Sequence, residues 1–331
     1  LGGLHVPGAS DVRSRGDVLM RGPSLLRPSR TALLLASCAT SACELQEVTV
    51  VDLVDVVVAE AYVTLRSGPH ANEAKAFLHG TAAGSAPEAR TFDDALVRVT
   101  RSDGLGLDFA IVPIEECVDS RPEDALGTCF AADPASAALL RPGDELRLDI
   151  TLGGGATVAG SAVVPGGFQL RGVGAECRLL PDTNTDVLWS KSDGAWAYVN
   201  ETVIEGLSDA LAAEGIEADE PLELLGLSVS ANDTAIAFPS EFGLFDRFDL
   251  DQDLAVRLQR GLPDGTSATV SISAIDRNYA NWIRGGNFNP SGQVRVSSLE
   301  GAATGVFGAV VIRDFVVVTS SEPIASTSDC P

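Results

Sequence analysis

The chain has 331 residues, 45% hydrophobic and 21% charged, with 33 Gly and 17 Pro, a length and balance that suit two globular domains and exclude global disorder. Acidic residues outnumber basic ones 46 to 23. The first 37 residues hold five of the basic residues and only two acids, Asp11 and Asp17, so the remainder carries 44 acids against 18 bases, a net of −26. Such a surface repels phosphate backbones and excludes nucleic acid as a natural partner.

From Met20, the only methionine and the expected start, the chain reads MRGPSLLRPSRTALLLASCATSAC. Arg21, Arg27 and Arg30 make a positive n-region, Thr31 to Ala36 a short apolar core, and Leu35-Ala36-Ser37 leads into Cys38. This resembles a bacterial lipoprotein signal, in which the cysteine is acylated and becomes the first mature residue. Residues 1–37 are therefore expected to be upstream sequence plus signal peptide, with Cys38 lipidated. Cys43 is the alternative, but Thr40-Ser41-Ala42 lacks the aliphatic residue wanted upstream. A cleavable secretory signal is the competing reading, and it too exports the chain. No later stretch reaches the roughly 18 uninterrupted apolar residues of a spanning helix, so acyl chains would be the only anchor. Ala39 after the cysteine, rather than Asp, implies the outer membrane.

Next, EVTVVDLVDVVVAEAYVTL is dense in β-branched residues and reads as one long strand or two short ones. DDALVRVTRSDG points Ala95, Val97 and Val99 inward and turns at Asp103-Gly104. In RPGDELRLDITLGGGATVAGSAVVP, Leu146, Leu148, Ile150 and Leu152 share one face, and Gly153 to Gly155 makes a hairpin turn. Short alternating strands with regular turns predict an immunoglobulin-like β-sandwich over residues 44–168. Residues 169–184, rich in turn formers and without period, are expected as a linker.

A second β-rich domain is expected over 185–320. DVLWSKSDGAWAYVN reads as a hairpin joined at Asp193-Gly194. NETVIEGLSDALAAEGIEADEP spaces Val203, Leu207, Ala210 and Leu211 at helical intervals, predicting a helix near 201–214. Strands follow at LLGLSVSA, DTAIAFP, ATVSISAI and GAVVIRDFVVVTS, with a second short helix at DRNYANWIRGG and a tail at 321–331. The fold class is thus all-β, two sandwich-like domains with a short helical insertion in the second.

Export would permit disulfides among the remaining cysteines. Cys117 and Cys129 flank a short Pro/Gly/Asp-containing loop and form a natural pair, and Cys177 with Cys330 would clasp the second half. Sequence alone leaves the connectivity open. Zinc is the weaker alternative, because no CxxC occurs and only His70 and His79 follow Cys38.

The strand near the anchor, the DALVRVT strand, LRPGDELRLDITLGGGATVAGSAVVP and the late VRVSSLEGAATGVFGAVV, Val294 to Val311, together resemble domain-of-unknown-function lipoproteins that accompany TonB-dependent receptors in Gram-negative bacteria. The family's late glycine-rich segment corresponds to Gly301 to Gly308, with Thr304 where another Gly is common. The resemblance implies a partner of an outer-membrane transporter and carries over no catalytic residue.

Chemistry-bearing patterns are few. Asp249, Asp251 and Asp253 repeat at every other residue, as calcium loops do, but Leu254 and Arg260 stand where an EF-hand needs Gly and Glu. The plainer reading is a strand with Phe248, Leu250, Leu254, Val256 and Leu258 inward. Trp189, Trp196 and Tyr198 flank one expected hairpin and could form a sugar-stacking platform, or pack in the core. There is no G-x-S-x-G elbow, P-loop or dinucleotide fingerprint, and a hydrolase, which would have to use His70, His79 or a carboxylate pair that the sequence does not single out, is kept as a third reading behind the two binding roles. No cofactor is expected beyond a calcium ion. The two binding roles that remain are an accessory to a TonB-dependent transporter, and a glycan- or calcium-dependent surface module.

Overall fold

A computed structural model describes residues 55–66, 72–81, 91–118, 126–228, 230–241, 252–285, 295–325 and 327–331. Its first strands are β1 (Val57–Arg66), β2 (Glu73–Gly80), β3 (Leu96–Arg101), β4 (Gly106–Val112), β5 (Thr128–Ala132), β6 (Glu145–Thr151) and β7 (Thr157–Val163), with helix α1 (Pro134–Ala137) before β6. Alternation sets their faces: Val97, Val99, Leu146, Leu148 and Ile150 are all at most 4% exposed, and Gly104 and Gly154 take the positive φ their turns require. β4 joins two layers, pairing with β3 through Gly106 to Asp108 and with β5 through Phe109 to Val112. The layer β1-β2-β5 and the layer β3-β6-β7 enclose one core, in which Val63, Leu78 and Phe130 share a buried cluster with Val99, Leu148 and Ile150.

The second half adds β8 (Leu170–Arg171), β9 (Glu176–Leu179), β10 (Thr185–Trp189), β11 (Ala197–Glu205), β12 (Leu222–Leu227), β13 (Ala235–Phe238), β14 (Ser267–Ile275), β15 (Leu299–Gly301), β16 (Ala303–Thr319) and β17 (Ser328–Asp329). Its helices are α2 (Leu207–Leu211), α3 (Gln252–Leu258) and α4 (Arg277–Arg284). The chain is all-β, as its alternation implies.

The 17-residue β16 organises both halves. Ala303 to Ile312 pair in parallel with β1, Val310 to Val318 pair antiparallel with β14, and Val316 to Thr319 pair with β9. One sheet therefore runs β12-β11-β14-β16-β1-β2-β5-β4-β3-β6-β7-β15, with β9 beside β16 and β17 beside β9, and β13-β10-β8 forms a smaller sheet. This sheet crosses the linker expected at 169–184, and Asp55–Pro331 falls in one compact unit. The expected division overlooked a partner, because the strand that completes β1 lies near the end of the chain. Glycines make the approach feasible: a Cβ at Gly305 (φ 137°) would overlap the carbonyl of Ala59, and one at Gly301 (φ 107°) that of Thr157. The late glycine-rich segment thus has a local, steric reason.

Other local expectations shift. Residues 201–205 extend β11 instead of starting a helix, since Thr202 and Ile204 face the core at strand period; Gly206 (φ 83°) ends the strand and α2 begins at Leu207. The hairpin expected across Asp193-Gly194 does not form. The turn is there, with Gly194 at φ 73°, but β10 pairs with β13 and β8 while β11 pairs with β12 and β14. The segment 321–331 is tied down through β17, which pairs with β9.

Candidate functional site

Cys38, Cys43, His70, Asp249 and Asp251 lie outside the described residues. The other four cysteines form two disulfides, Cys117–Cys129 and Cys177–Cys330, with S–S distances of 2.03 and 2.11 Å. The first fastens the turn Ile114–Glu116 to β5, and the second fastens the last residues to β9.

The three aromatic residues of the expected platform part company. Trp189 and Tyr198 are buried and meet edge-on at 5.4 Å, with Phe168 5.9 Å from Tyr198. The Tyr198 hydroxyl accepts the Ser192 N–H at 2.8 Å; burial raises this phenol, an effect that bond partly offsets. Only Trp196 is exposed, at 46%, with the Arg277 guanidinium 5.0 Å above its ring. The platform fails because Trp189 and Tyr198 are drawn into one buried cluster, where they pack on each other, while Trp196 stays at the surface. Asp253 sits in the first turn of α3, a helix where a strand was expected: Leu254 and Leu258 are buried at i, i+4 spacing and Val256 faces out. His79 stacks on Phe77 at 5.1 Å. Among the described residues, no cluster of three or more His, Cys, Asp or Glu is placed to hold a metal ion.

Sequence reasoning passed over the corner between α4 and β1. Ala59, Ala61, Val63 and Leu65 point into the core, which sends Glu60 and Tyr62 to the opposite face of the sheet. α4 packs on that face through Ala280 and Ile283 against Val199, Val310 and Ile312. Asp276 caps the helix, its carboxylate accepting the Tyr279 N–H at 2.9 Å, and Asn278 Nδ2 donates to the carbonyls of Ser161 (2.7 Å) and Phe307 (2.8 Å). Gly308, paired with Tyr62 across the ladder, leaves room for the helix: a Cβ there would stand 3.0 Å from Tyr279 Cβ and 3.5 Å from Tyr62 Cδ1.

In this corner the rings of Tyr62 and Tyr279 lie 4.9 Å apart, tilted by 49°. Arg295 stacks over the buried Trp282 at 4.8 Å and holds Glu60 at 3.7 Å, a loose ion pair with both side chains about 30% exposed (31% and 28%). Burial, reinforced by Glu60 beside Tyr62 and by Glu201 and Glu60 near Tyr279, raises both phenols, so both remain protonated donors at neutral pH. Burial also lifts the Asp276 carboxyl to about 6, opposed by the amides of Tyr279, Ala309 and Asn278. Tyr62 and Glu60 share a face by strand period and Tyr279 and Trp282 by helical spacing, so each pair was legible. Their meeting was not, because it depends on the distant pairing of β1 with β16. Arg257 was likewise passed over; it is buried and binds Asp182 at 2.7 Å and Glu214 at 3.1 Å, a structural tie for α3.

No protein-family model matches the chain, and no curated protein matches it either.

Proposed function

We propose that the chain is an exported binding or assembly protein, held at the outer membrane by acyl chains on Cys38 and acting beside a TonB-dependent nutrient transporter. The observation that carries the reading is the pair of disulfides, since such bonds persist in oxidising compartments and are rare in the cytosol. The negative charge of the chain beyond residue 37 fits a role away from nucleic acid. No helix among the described residues is long and apolar enough to cross a membrane; in this reading the lipid is the anchor, and stable anchoring requires more than one acyl chain. The transporter partner follows from the family resemblance.

The test is to extract outer membranes in mild detergent and recover the chain with an antibody, from wild type and from Cys38→Ser. A TonB-dependent receptor that co-purifies with wild type, and a variant that leaves the membrane fraction, support the reading. Wild type recovered without a receptor overturns the accessory role, and a variant that stays in the membrane overturns the anchor.

A further inference from the structure

We propose that the C-terminal strand β16 is a redox-locked strap: the fold is held shut only once Cys177–Cys330 has closed, so the chain stays easily opened until it reaches an oxidising compartment. The inference rests on the export reading above for its setting, and adds to it a device that ties a tight fold to export.

The strap is read from what β16 completes. β1 pairs with β2 on one side and β16 on the other, and β14 pairs with β11 and β16. Without β16, each of these pairings loses one side. The loss would reach the core, since Phe307, Ala309, Val311, Phe315 and Val317 share the buried cluster that holds Ala59, Val63, Leu78 and Phe130. Val57 stands opposite Ala303, and a pairing so distant in sequence begins with a large loop-closure cost.

The lock is read from the tail. β9 lies between β16 and β17, with Cys177 opposite Val317 on one side and Ser328 on the other. Cys177 is 1% exposed and belongs to the core cluster, against which Cys330 packs. The tail's other ties are slight: a two-residue ladder, the Cys330 N–H on the Arg178 carbonyl at 2.8 Å, and surface contacts from Asp329 to Arg178 and Thr327 to Glu176. Closing Cys177–Cys330 therefore tethers the end of β16, at Thr319, beside β9 and raises its effective concentration for its partners. Cys117–Cys129 has no such reach. Val112 already stands opposite Cys129 in the β4–β5 pairing, so that bond reinforces a local turn.

The chemistry is thiol–disulfide exchange. Cys177 and Cys330 give up two electrons and two protons as the Sγ–Sγ bond forms, and a disulfide oxidant takes them up and leaves as two thiols. In a reducing compartment the exchange runs backwards while β16 is unseated. Once the strap is seated, burial of Cys177 screens the bond from attacking thiols and the lock holds.

Two full-length chains test the device, one keeping only Cys177 and Cys330 and the other only Cys117 and Cys129, with the remaining cysteines replaced by Ala. Each is unfolded in urea with dithiothreitol, then diluted into buffer holding either dithiothreitol or glutathione disulfide, and amide exchange is read strand by strand. We expect the first chain to exchange β1 and β2 about a hundredfold faster in the reducing buffer than in the oxidising one, with protection regained on reoxidation. The second chain should exchange them at the fast rate in both buffers. Slow exchange of β1 and β2 in the reduced first chain, or in the second chain, would overturn the proposal, as would fast exchange in the oxidised first chain. Because defined buffers replace the compartment, such a failure leaves the anchor and the transporter partner to their own test.

Discussion

Between Leu96 and Val163 two hairpins close locally, β3 turning into β4 at Gly104 and β6 into β7 at Gly154 and Gly155, and β3 pairs with β6 to join them. The second half is built from distant pairings. β16 binds β1 in a register that sets Ala303 against Val57, β9 takes the end of β16 as a parallel partner, and Cys177–Cys330 closes a separation of 153 residues against 12 for Cys117–Cys129. Hairpins need only a local turn, whereas parallel pairs need a long crossover. The difference teaches that the two halves are not separable units, because the later one supplies the strand that completes the earlier one.

The harshest challenge to that view is Gly305→Val. The new side chain would collide with Ala59 and push β16 off β1, so little folded protein should be recovered, as judged by circular dichroism of the soluble fraction. Normal yield and melting would mean that β1 does not depend on this contact.

The disulfides sharpen the comparison by size. In the chain-entropy model, opening the longer loop with Cys177→Ser/Cys330→Ser should cost about 5 kcal/mol, and opening the shorter one with Cys117→Ser/Cys129→Ser about 3 kcal/mol. Denaturant titration reads both, and an equal or reversed ranking would show that the C-terminal clasp closes no entropic loop.

A smaller effect belongs to Asp276, at the joint where α4 meets β16. Its folded carboxyl titrates near about 6, above the ordinary 3.8, so the folded state holds a proton that the unfolded chain releases. Stability from this group is complete below about pH 4 and is lost as pH rises through 6, by up to about 3 kcal/mol. Asp276→Asn keeps a good helix cap and removes the charge. It should melt like wild type near pH 4 and be more stable by about 2 kcal/mol at pH 7.5. A variant less stable than wild type at both values would show that the ionised carboxylate is favourable where it sits. The surface carboxylates run the other way; Asp103, held down to about 2 by Arg101, contributes above the unfolded pKa and loses that contribution as pH falls.

How much of this was legible follows from the same contrast. Strand faces in β3, β6 and β7 and the turns between them could be read, since alternation and turn residues are local properties, whereas the cysteine pairings could be suggested but not fixed, Cys177 and Cys330 standing 153 residues apart. The helix expected from Glu201 failed because Val203, Leu207 and Leu211 satisfy helical spacing while Thr202 and Ile204 satisfy strand spacing, and pairing with β12 and β14 decides for the strand. The Trp189/Trp196/Tyr198 platform failed because burial, which the spacing does not show, takes Trp189 and Tyr198 into the core and leaves Trp196 outside. The corner holding Tyr62 and Tyr279 was hidden because its two walls come from opposite ends of the described chain.

Hydrogen exchange on Val317→Ala tests the shared strand most directly. Val317 is fully buried, lies opposite Ala268 and Cys177, and is five residues beyond the last β16 residue paired with β1. Truncating it should cost about 2 kcal/mol. If β16 makes the halves one cooperative unit, the slowest amides of β1 and β2 will lose as much protection as those of β14. Protection retained in β1 and β2 while β14 alone exchanges faster would mean two independent halves, and would contradict the account.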